Sequence, residues 1–205
     1  MFTGIVQATC EVTDIYKKDG VTTLEVAIPD QLRANLATGA SVANNGVCLT
    51  VTQIANDRVF FDVMEETARL TNLADLQTGS WVNIERSLTF GSEIGGHILS
   101  GHIHTTAEVI ELSQTDEHYD MRLKVDPKWM HYILYKGFIG VNGCSLTVGQ
   151  VDGDSFWLHL IPETLRLTNL DKAGAGSRLN IEIDSQTQAI VDTVERVLAA
   201  RFGDQ

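Results

Sequence analysis

Cysteine, proline and positive charge are all scarce in this sequence of 205 residues, and each shortage excludes something. The three cysteines, Cys10, Cys48 and Cys144, are an odd number, widely spaced, with no CxxC pair and no clustering with histidine. That usage argues against a disulfide framework and suits a reducing compartment. Lys and Arg total 15 against 27 Asp and Glu, a formal net charge of -12. So acidic a chain is a poor partner for nucleic acid, whose binding draws on cations that neutralise phosphates, and for anionic lipid surfaces. No run approaches the roughly 20 apolar residues of a membrane span. The opening MFTGIVQATCEV has neither the basic start nor the apolar core of a signal peptide. A cytoplasmic protein with no nucleic-acid and no membrane partner is expected. Phosphate-loop, dinucleotide-fold and nucleophile-elbow motifs are absent as well.

What is present is an ordinary globular composition, 43% apolar and 20% charged, and an internal repeat. Sliding the chain by 97 residues lays NGVCLTV (45–51) on NGCSLTV (142–148), EETARLTNL (65–73) on PETLRLTNL (162–170), and GSWVNIE (79–85) on GSRLNIE (176–182). Over 45–85 against 142–182, 19 of 41 positions are identical without a gap, a density that marks duplication of a domain. The same offset carries TGIVQATCEV (3–12) onto SGHIHTTAEV (100–109), and a one-residue adjustment matches TLEVAIP (23–29) to MRLKVDP (121–127).

Each copy reads as β with a short helix. Leu24, Val26 and Ile28 alternate with polar residues, as do Met121, Leu123 and Val125, the period of a half-buried strand. VFFDVM, FWLHLI, WVNIE and LNIEI are further β-rich runs bounded by turn residues. PDQLRANLA (29–37) and DPKWMHYILYK (126–136) carry helix-start residues and three-to-four apolar spacing. About six short strands per copy suit a small closed barrel, which leaves no open edge. The fold class is therefore all-β: two tandem six-stranded antiparallel Greek-key-like barrels over 1–97 and 98–185, plus a C-terminal α-helix over 186–205. In that helix Ile190, Val191, Val194, Val197 and Leu198 form an apolar stripe. It packs on a barrel or meets the same helix of other subunits.

Function in a duplicated chain is sought where the copies agree and where they differ. They agree at NGxxLTV, where the Asn-Gly gives a tight turn. Cys48 with Thr50, and Ser145 with Thr147, then share a strand face as paired polar groups. They differ at Ile5/His102, Ser41/Phe138, Cys48/Ser145 and Ser87/Asp184, so the second copy holds an imidazole and a carboxylate that the first lacks. His97, His102 and His104 in GGHILSGHIH could suggest a metal, but no Cys or carboxylate completes a ligand set there, and no metal is expected.

MFTGIV, the two NGxxLTV segments, GGHxxSGH, ET-x-R-x-TNL in each half, YILYKGFIG and the helical tail together resemble the riboflavin synthase family along the whole chain. The resemblance implies two lumazine-binding barrels per chain and a homotrimer held partly by the C-terminal helices. It places the active site between the N-terminal barrel of one subunit and the C-terminal barrel of its neighbour. Two molecules of 6,7-dimethyl-8-ribityllumazine bind there, and one gives a four-carbon unit to the other, yielding riboflavin and 5-amino-6-(D-ribitylamino)uracil without an added cofactor. Carried onto matching positions, the first pocket takes in Gly4, Ile5 and Val6, Cys48, Leu49 and Thr50, and Asp62, Val63, Met64, Glu65, Glu66 and Thr67. The second takes in Gly101, His102 and Ile103, Lys136, Ser145, Leu146 and Thr147, and Ile161, Pro162, Glu163, Thr164, Leu165 and Arg166. Phe2, Ser41, His97, His102 and Asp184 fall where the family places residues important for turnover. The resulting expectation is that His102 and Asp184, with Ser145 and Thr147, handle protons, while Cys48, Ser41 and Thr50 hold and polarise the partner lumazine. Val47 departs from the polar or thiol residue that many relatives carry there. The rival reading is a non-catalytic antenna protein of bioluminescence that binds lumazine or flavin on the same duplicated barrel.

Overall fold

The computed structural model describes residues 1–115 and 119–202. Strands β1 (Ala8–Lys18), β2 (Val21–Ala27), β3 (Ser41–Asn44), β4 (Val47–Ala55), β5 (Arg58–Met64) and β6 (Trp81–Arg86) close a barrel in the order β1-β2-β5-β4-β3-β6. Strands β7 (Thr105–Gln114), β8 (Tyr119–Lys124), β9 (Phe138–Val141), β10 (Cys144–Asp152), β11 (Ser155–Leu160) and β12 (Arg178–Ile183) repeat that topology as β7-β8-β11-β10-β9-β12. Every pairing is antiparallel. The duplication extends to irregularities: bulges follow Val12 in β1 and Val109 in β7, 97 residues apart.

The alternating residues fill the two cores. Leu24, Val26 and Ile28 are buried in the first barrel, and Met121, Leu123 and Val125 in the second. Phe61 and Phe156 are the largest side chains in their respective interiors. Both Asn-Gly pairs make two-residue hairpin turns, with φ of 46° and 81° at Asn45 and Gly46 and of 45° and 79° at Asn142 and Gly143. Positive φ at both central residues is the turn whose twist matches the flanking strands. The two turns abut: a Cβ on Gly46 would lie 2.6 Å from the Gly143 nitrogen.

The helical segments are shorter than the sequence pattern suggests. In place of 29–37 there is one turn, α1 (Asp30–Arg33), ended by Asn35 in the left-handed region at φ 57°. In place of 126–136 there is a 3₁₀ turn, Pro127–Tyr132, which Asp126 caps through the Lys128 N–H. Two short helices, α2 (Glu65–Leu70) and α3 (Pro162–Leu167), follow β5 and β11. The terminal helix α4 (Ser185–Phe202) buries no residue. It touches the second barrel through Tyr132 to Asp192 and through His104 Nε2 to Gln188 Oε1 at 3.1 Å. Ile190, Val194, Val197, Leu198 and Phe202 remain exposed, so the stripe is not core packing within this chain. No described helix is long and apolar enough to cross a membrane.

Candidate active site

The strap at residues 2–6 precedes the first barrel, and the strap at 99–103 precedes the second. Phe2 and Leu99, 97 positions apart, exchange backbone bonds of 2.8 and 3.0 Å and bury their side chains together. From there each strap is held by the last strand of its own barrel. Glu85 on β6 accepts from Thr3 N (2.6 Å), Thr3 Oγ1 (2.7 Å) and Gly4 N (3.1 Å). Glu182 on β12 accepts from Ser100 N (2.6 Å), Ser100 Oγ (2.7 Å) and Gly101 N (3.1 Å). Burial pushes both carboxyls above the usual carboxylate range, and these donors pull the other way.

Each strap then crosses to the opposite barrel. The Gly4 carbonyl accepts from Ser145 N on β10 at 2.8 Å, and the Gly101 carbonyl from Cys48 N on β4 at 2.9 Å. Val6 packs into the second core and Ile103 against the first. Both glycines have positive φ (73° and 84°), and an added Cβ would lie 2.5 Å from the Cβ of Ser145 or Cys48. The sequence grouping is therefore corrected in one respect. Gly4, Ile5 and Val6 belong with Ser145, and Gly101, His102 and Ile103 belong with Cys48. Strand order along the chain says nothing of such an exchange, whereas the paired Glu in NIE (83–85 and 180–182), a charge repeated on a buried strand, was the available signal.

The pocket beside Ser145 has a volume of about 220 Å³ and is lined by Gly4, Ile5, Val6, Cys144, Ser145, Glu163, Thr164, Leu167 and Thr168. Of the other expected residues, Leu165 and Arg166 lie in α3, where Arg166 is paired to Glu163 at 2.6 Å. Pro162 opens that helix and Ile161 flanks it, exposed. Thr147 is exposed on β10 opposite Phe138, and Leu146 is half-buried between Ser145 and Thr147. Lys136 is exposed, with φ 65°, and its N–H reaches the Val148 carbonyl at 2.9 Å.

In the first copy Cys48 is half-buried beneath Gly101 and Thr50 is exposed on β4 opposite Ser41 of β3. Asp62 and Met64 are exposed on β5, with Asp62 accepting from Thr23 Oγ1 at 2.6 Å. Glu65, Glu66 and Thr67 form the first turns of α2, Glu66 being paired to Arg69 at 2.6 Å. Leu49 and Val63 point into the core, so only their backbone faces the surface.

The second copy also gathers the unequal chemistry. His97, which has no counterpart in the first copy, places Nδ1 2.6 Å from Ser145 Oγ and stacks on Phe138 with ring centroids 5.1 Å apart. Its Nε2 is buried without a hydrogen-bond partner among the described residues. Burial holds the ring below its ordinary value of 6.5, while the charge of Asp184 acts in the opposite direction. The tautomer with its proton on Nε2 leaves Nδ1 to accept from the serine hydroxyl, the arrangement a general base requires. Asp184 caps α4, accepting from Thr187 N (2.8 Å) and Oγ1 (2.7 Å). His102 is exposed on its strap next to Gly101, whose carbonyl meets Cys48 N, and its N–H donates to Ser100 Oγ at 3.1 Å. His104 is fully engaged, with Nδ1 accepting from Ile183 N at 3.2 Å and Nε2 on Gln188. Burial raises the Cys10 and Cys144 thiols to about 12, which keeps both from acting as nucleophiles.

Comparison with known proteins gives the same two units. A family profile described as the lumazine binding domain matches residues 3–87 and again 100–184. The chain is 57% identical over 202 residues to riboflavin synthase of Escherichia coli strain K12, covering 98% of this chain and 95% of that one. It is 40% identical to riboflavin synthase of Chlamydia pneumoniae over 204 residues, the full length of both. Among solved structures it is similar to LumP complexed with 6,7-dimethyl-8-(1'-D-ribityl) lumazine, with a TM-score of 0.83 and 26% identity over 90% of this chain and all of that one. LumP complexed with riboflavin superposes with a TM-score of 0.84 at 29% identity over the same shares. The duplicated barrels and these matches make the chain a member of the riboflavin synthase family, built of two lumazine binding domains.

Proposed function

We propose that the chain is a riboflavin synthase. Two molecules of 6,7-dimethyl-8-ribityllumazine are disproportionated, one giving a four-carbon unit to the other, with riboflavin and 5-amino-6-(D-ribitylamino)uracil as products. The observation that carries this reading is the pair of matching pocket frames with unequal chemistry, one walled by Cys48 and the other by Ser145 with His97 on its hydroxyl. Like frames suit two copies of one substrate, and holding both removes most of the entropic cost of their encounter. Unequal groups suit a donor and an acceptor that handle protons differently.

In this reading 1–97 and 98–185 are the two lumazine-binding units. His97 and Ser145, with Asp184 nearby, form the acid–base set of the C-terminal pocket, and Thr147 lies on the same strand face. Cys48, Ser41 and Thr50 hold the lumazine of the N-terminal pocket, with Phe2 setting the crossing point of the straps. His102 stands exposed on the strap that meets Cys48. The ring system serves as electron sink, so no metal or cofactor enters the scheme.

The assembly is a homotrimer that apposes unlike pockets of neighbouring subunits. Exposed Ile5, Met64, Phe138 and Ile161 at the pocket rims, and the bare apolar stripe of α4, supply the surface for it. Sedimentation of the full chain is expected to give a trimer, and removal of residues 186–205 to give monomers. A trimer that survives the truncation would refute the helix's part in it.

Incubating the pure protein with the lumazine and following flavin absorbance tests the activity, with one riboflavin expected for every two lumazines consumed. The likeness to LumP favours one other reading, an antenna protein, and a tightly bound fluorophore without turnover would establish that instead.

A further inference from the structure

Glu85 and Glu182 stand at equivalent positions of β6 and β12, each only 4% exposed, amid apolar strand residues. A buried carboxylate is costly unless donors surround it, and in each case those donors come from a strap. The strap does not end at its own barrel. It carries the bond across the junction to the opposite barrel, from Glu85 through Gly4 to the Ser145 N–H and from Glu182 through Gly101 to the Cys48 N–H.

We propose that Glu85 and Glu182 are positioning residues that act in trans within the chain, Glu85 setting the wall of the C-terminal pocket and Glu182 that of the N-terminal pocket. Neither touches the pocket it serves. Glu85 fixes the backbone at Thr3 and Gly4, and Gly4 lies so close to Ser145 that even a methyl group cannot be inserted. Displacement of that strap by a few tenths of an ångström therefore moves the Ser145 main chain, and with it the hydroxyl that meets His97. Glu182 stands in the same relation to Cys48 through Ser100 and Gly101. A carboxylate suits the task because its two oxygens accept several strap donors at once. A glutamine keeps the shape but only one acceptor oxygen, so the strap donors crowd onto it while its NH₂ turns against the Gly4 or Gly101 N–H.

The inference rests on the proposed synthase reading for its catalytic consequence, but the geometry is tested without substrate. Amide hydrogen exchange at residue resolution is measured on the unliganded full chain. In Glu85→Gln, exchange at the Ser145 N–H is expected to accelerate on the order of tenfold, while the Cys48 N–H stays within about twofold of the parent. In Glu182→Gln the pattern reverses. A staple that merely stabilises its own barrel gives acceleration in the same barrel or in both equally, and either result overturns the proposal, as does no change at either amide.

If Glu85→Gln does not fold, Thr3→Val removes one strap donor and leaves the carboxylate in place. The same crossed pattern is then expected in milder form, with Thr3→Ser restoring the parent rate. Turnover of the parent protein is assayed in parallel. An inactive parent with the crossed exchange pattern sinks the synthase reading alone. An active parent whose Glu variants show no crossed pattern sinks the positioning role alone.

Discussion

The proton on His97 decides how the Ser145 cluster behaves with pH. Burial holds this ring below its ordinary 6.5, so the folded state prefers it neutral. Above pH 6.5 the ring is neutral in both states and its contribution to stability is fully present. As pH falls below that point the unfolded chain takes up the proton first, and the contribution is lost down to the lowered folded value. Urea melts across pH are expected to show the parent losing stability relative to His97→Gln below 6.5, and an unchanged difference would contradict the buried neutral ring. The acid limb of kcat/KM is expected below 6.5 as well. His97→Gln should flatten that limb and lower the rate by about 10²-fold or more, the range of general-base catalysis. At the same scale, Gly101→Ala meets the Cys48 Cβ at 2.5 Å on a backbone at φ 84°. Gly153 also has positive φ, 57°, but open space around it. Left-handed strain costs about 1 kcal/mol at either position. Gly101→Ala is expected to cost about 1–3 kcal/mol beyond that for the displaced strap, read as a lower thermal midpoint than that of Gly153→Ala.

Elements differ in how openly the sequence announces them. Barrel strands were legible because Leu24, Val26, Ile28 and their counterparts keep the two-residue period, and the Asn-Gly turns because φ must be positive at both central residues. Helices α2 and α3 span six residues each, too few for a helical period to show. The straps were opaque for a different reason. GGHILSGHIH has no period and could line either barrel, so only the fold shows that Gly101 meets Cys48 and that His97, rather than His102, meets Ser145. Asp184 shows how an element and a site share one side chain, since it caps α4 and lies near His97. Asparagine caps a helix about as well as aspartate, whereas alanine forfeits about 1 kcal/mol. Asp184→Asn is accordingly expected to keep the stability of the parent and lose turnover, and Asp184→Ala to lose both. Equal melting midpoints for the two variants would contradict the capping role.

At the scale of the whole molecule, the barrels meet in a polar and nearly symmetric asparagine cluster besides the apolar contacts of the straps. Asn45, Asn72 and Asn83 meet their equivalents Asn142, Asn169 and Asn180 at the junction. Asn83 Nδ2 donates to the Asn142 carbonyl and Asn180 Nδ2 to the Asn45 carbonyl, both at 2.9 Å. Asn169 N reaches Asn83 Oδ1 and Asn72 N reaches Asn180 Oδ1, both at 2.7 Å. The Asn83 and Asn180 side chains thus each satisfy backbone groups of the opposite barrel, and the abutting Gly46 and Gly143 turns leave no room for a substitute. Asn83→Asp preserves shape but replaces the donor with a charged acceptor facing a carbonyl. Each single Asp variant, at 83 or 180, is expected to cost about 1–3 kcal/mol in denaturant unfolding, the toll of a buried unsatisfied group. The double variant should depart from additivity, because both side chains meet the same pair of turns. It should also divide one cooperative transition into two, since each barrel keeps its own core while the coupling between them is gone. A single transition with additive losses would place the coupling elsewhere, in the apolar contact of Phe2 with Leu99.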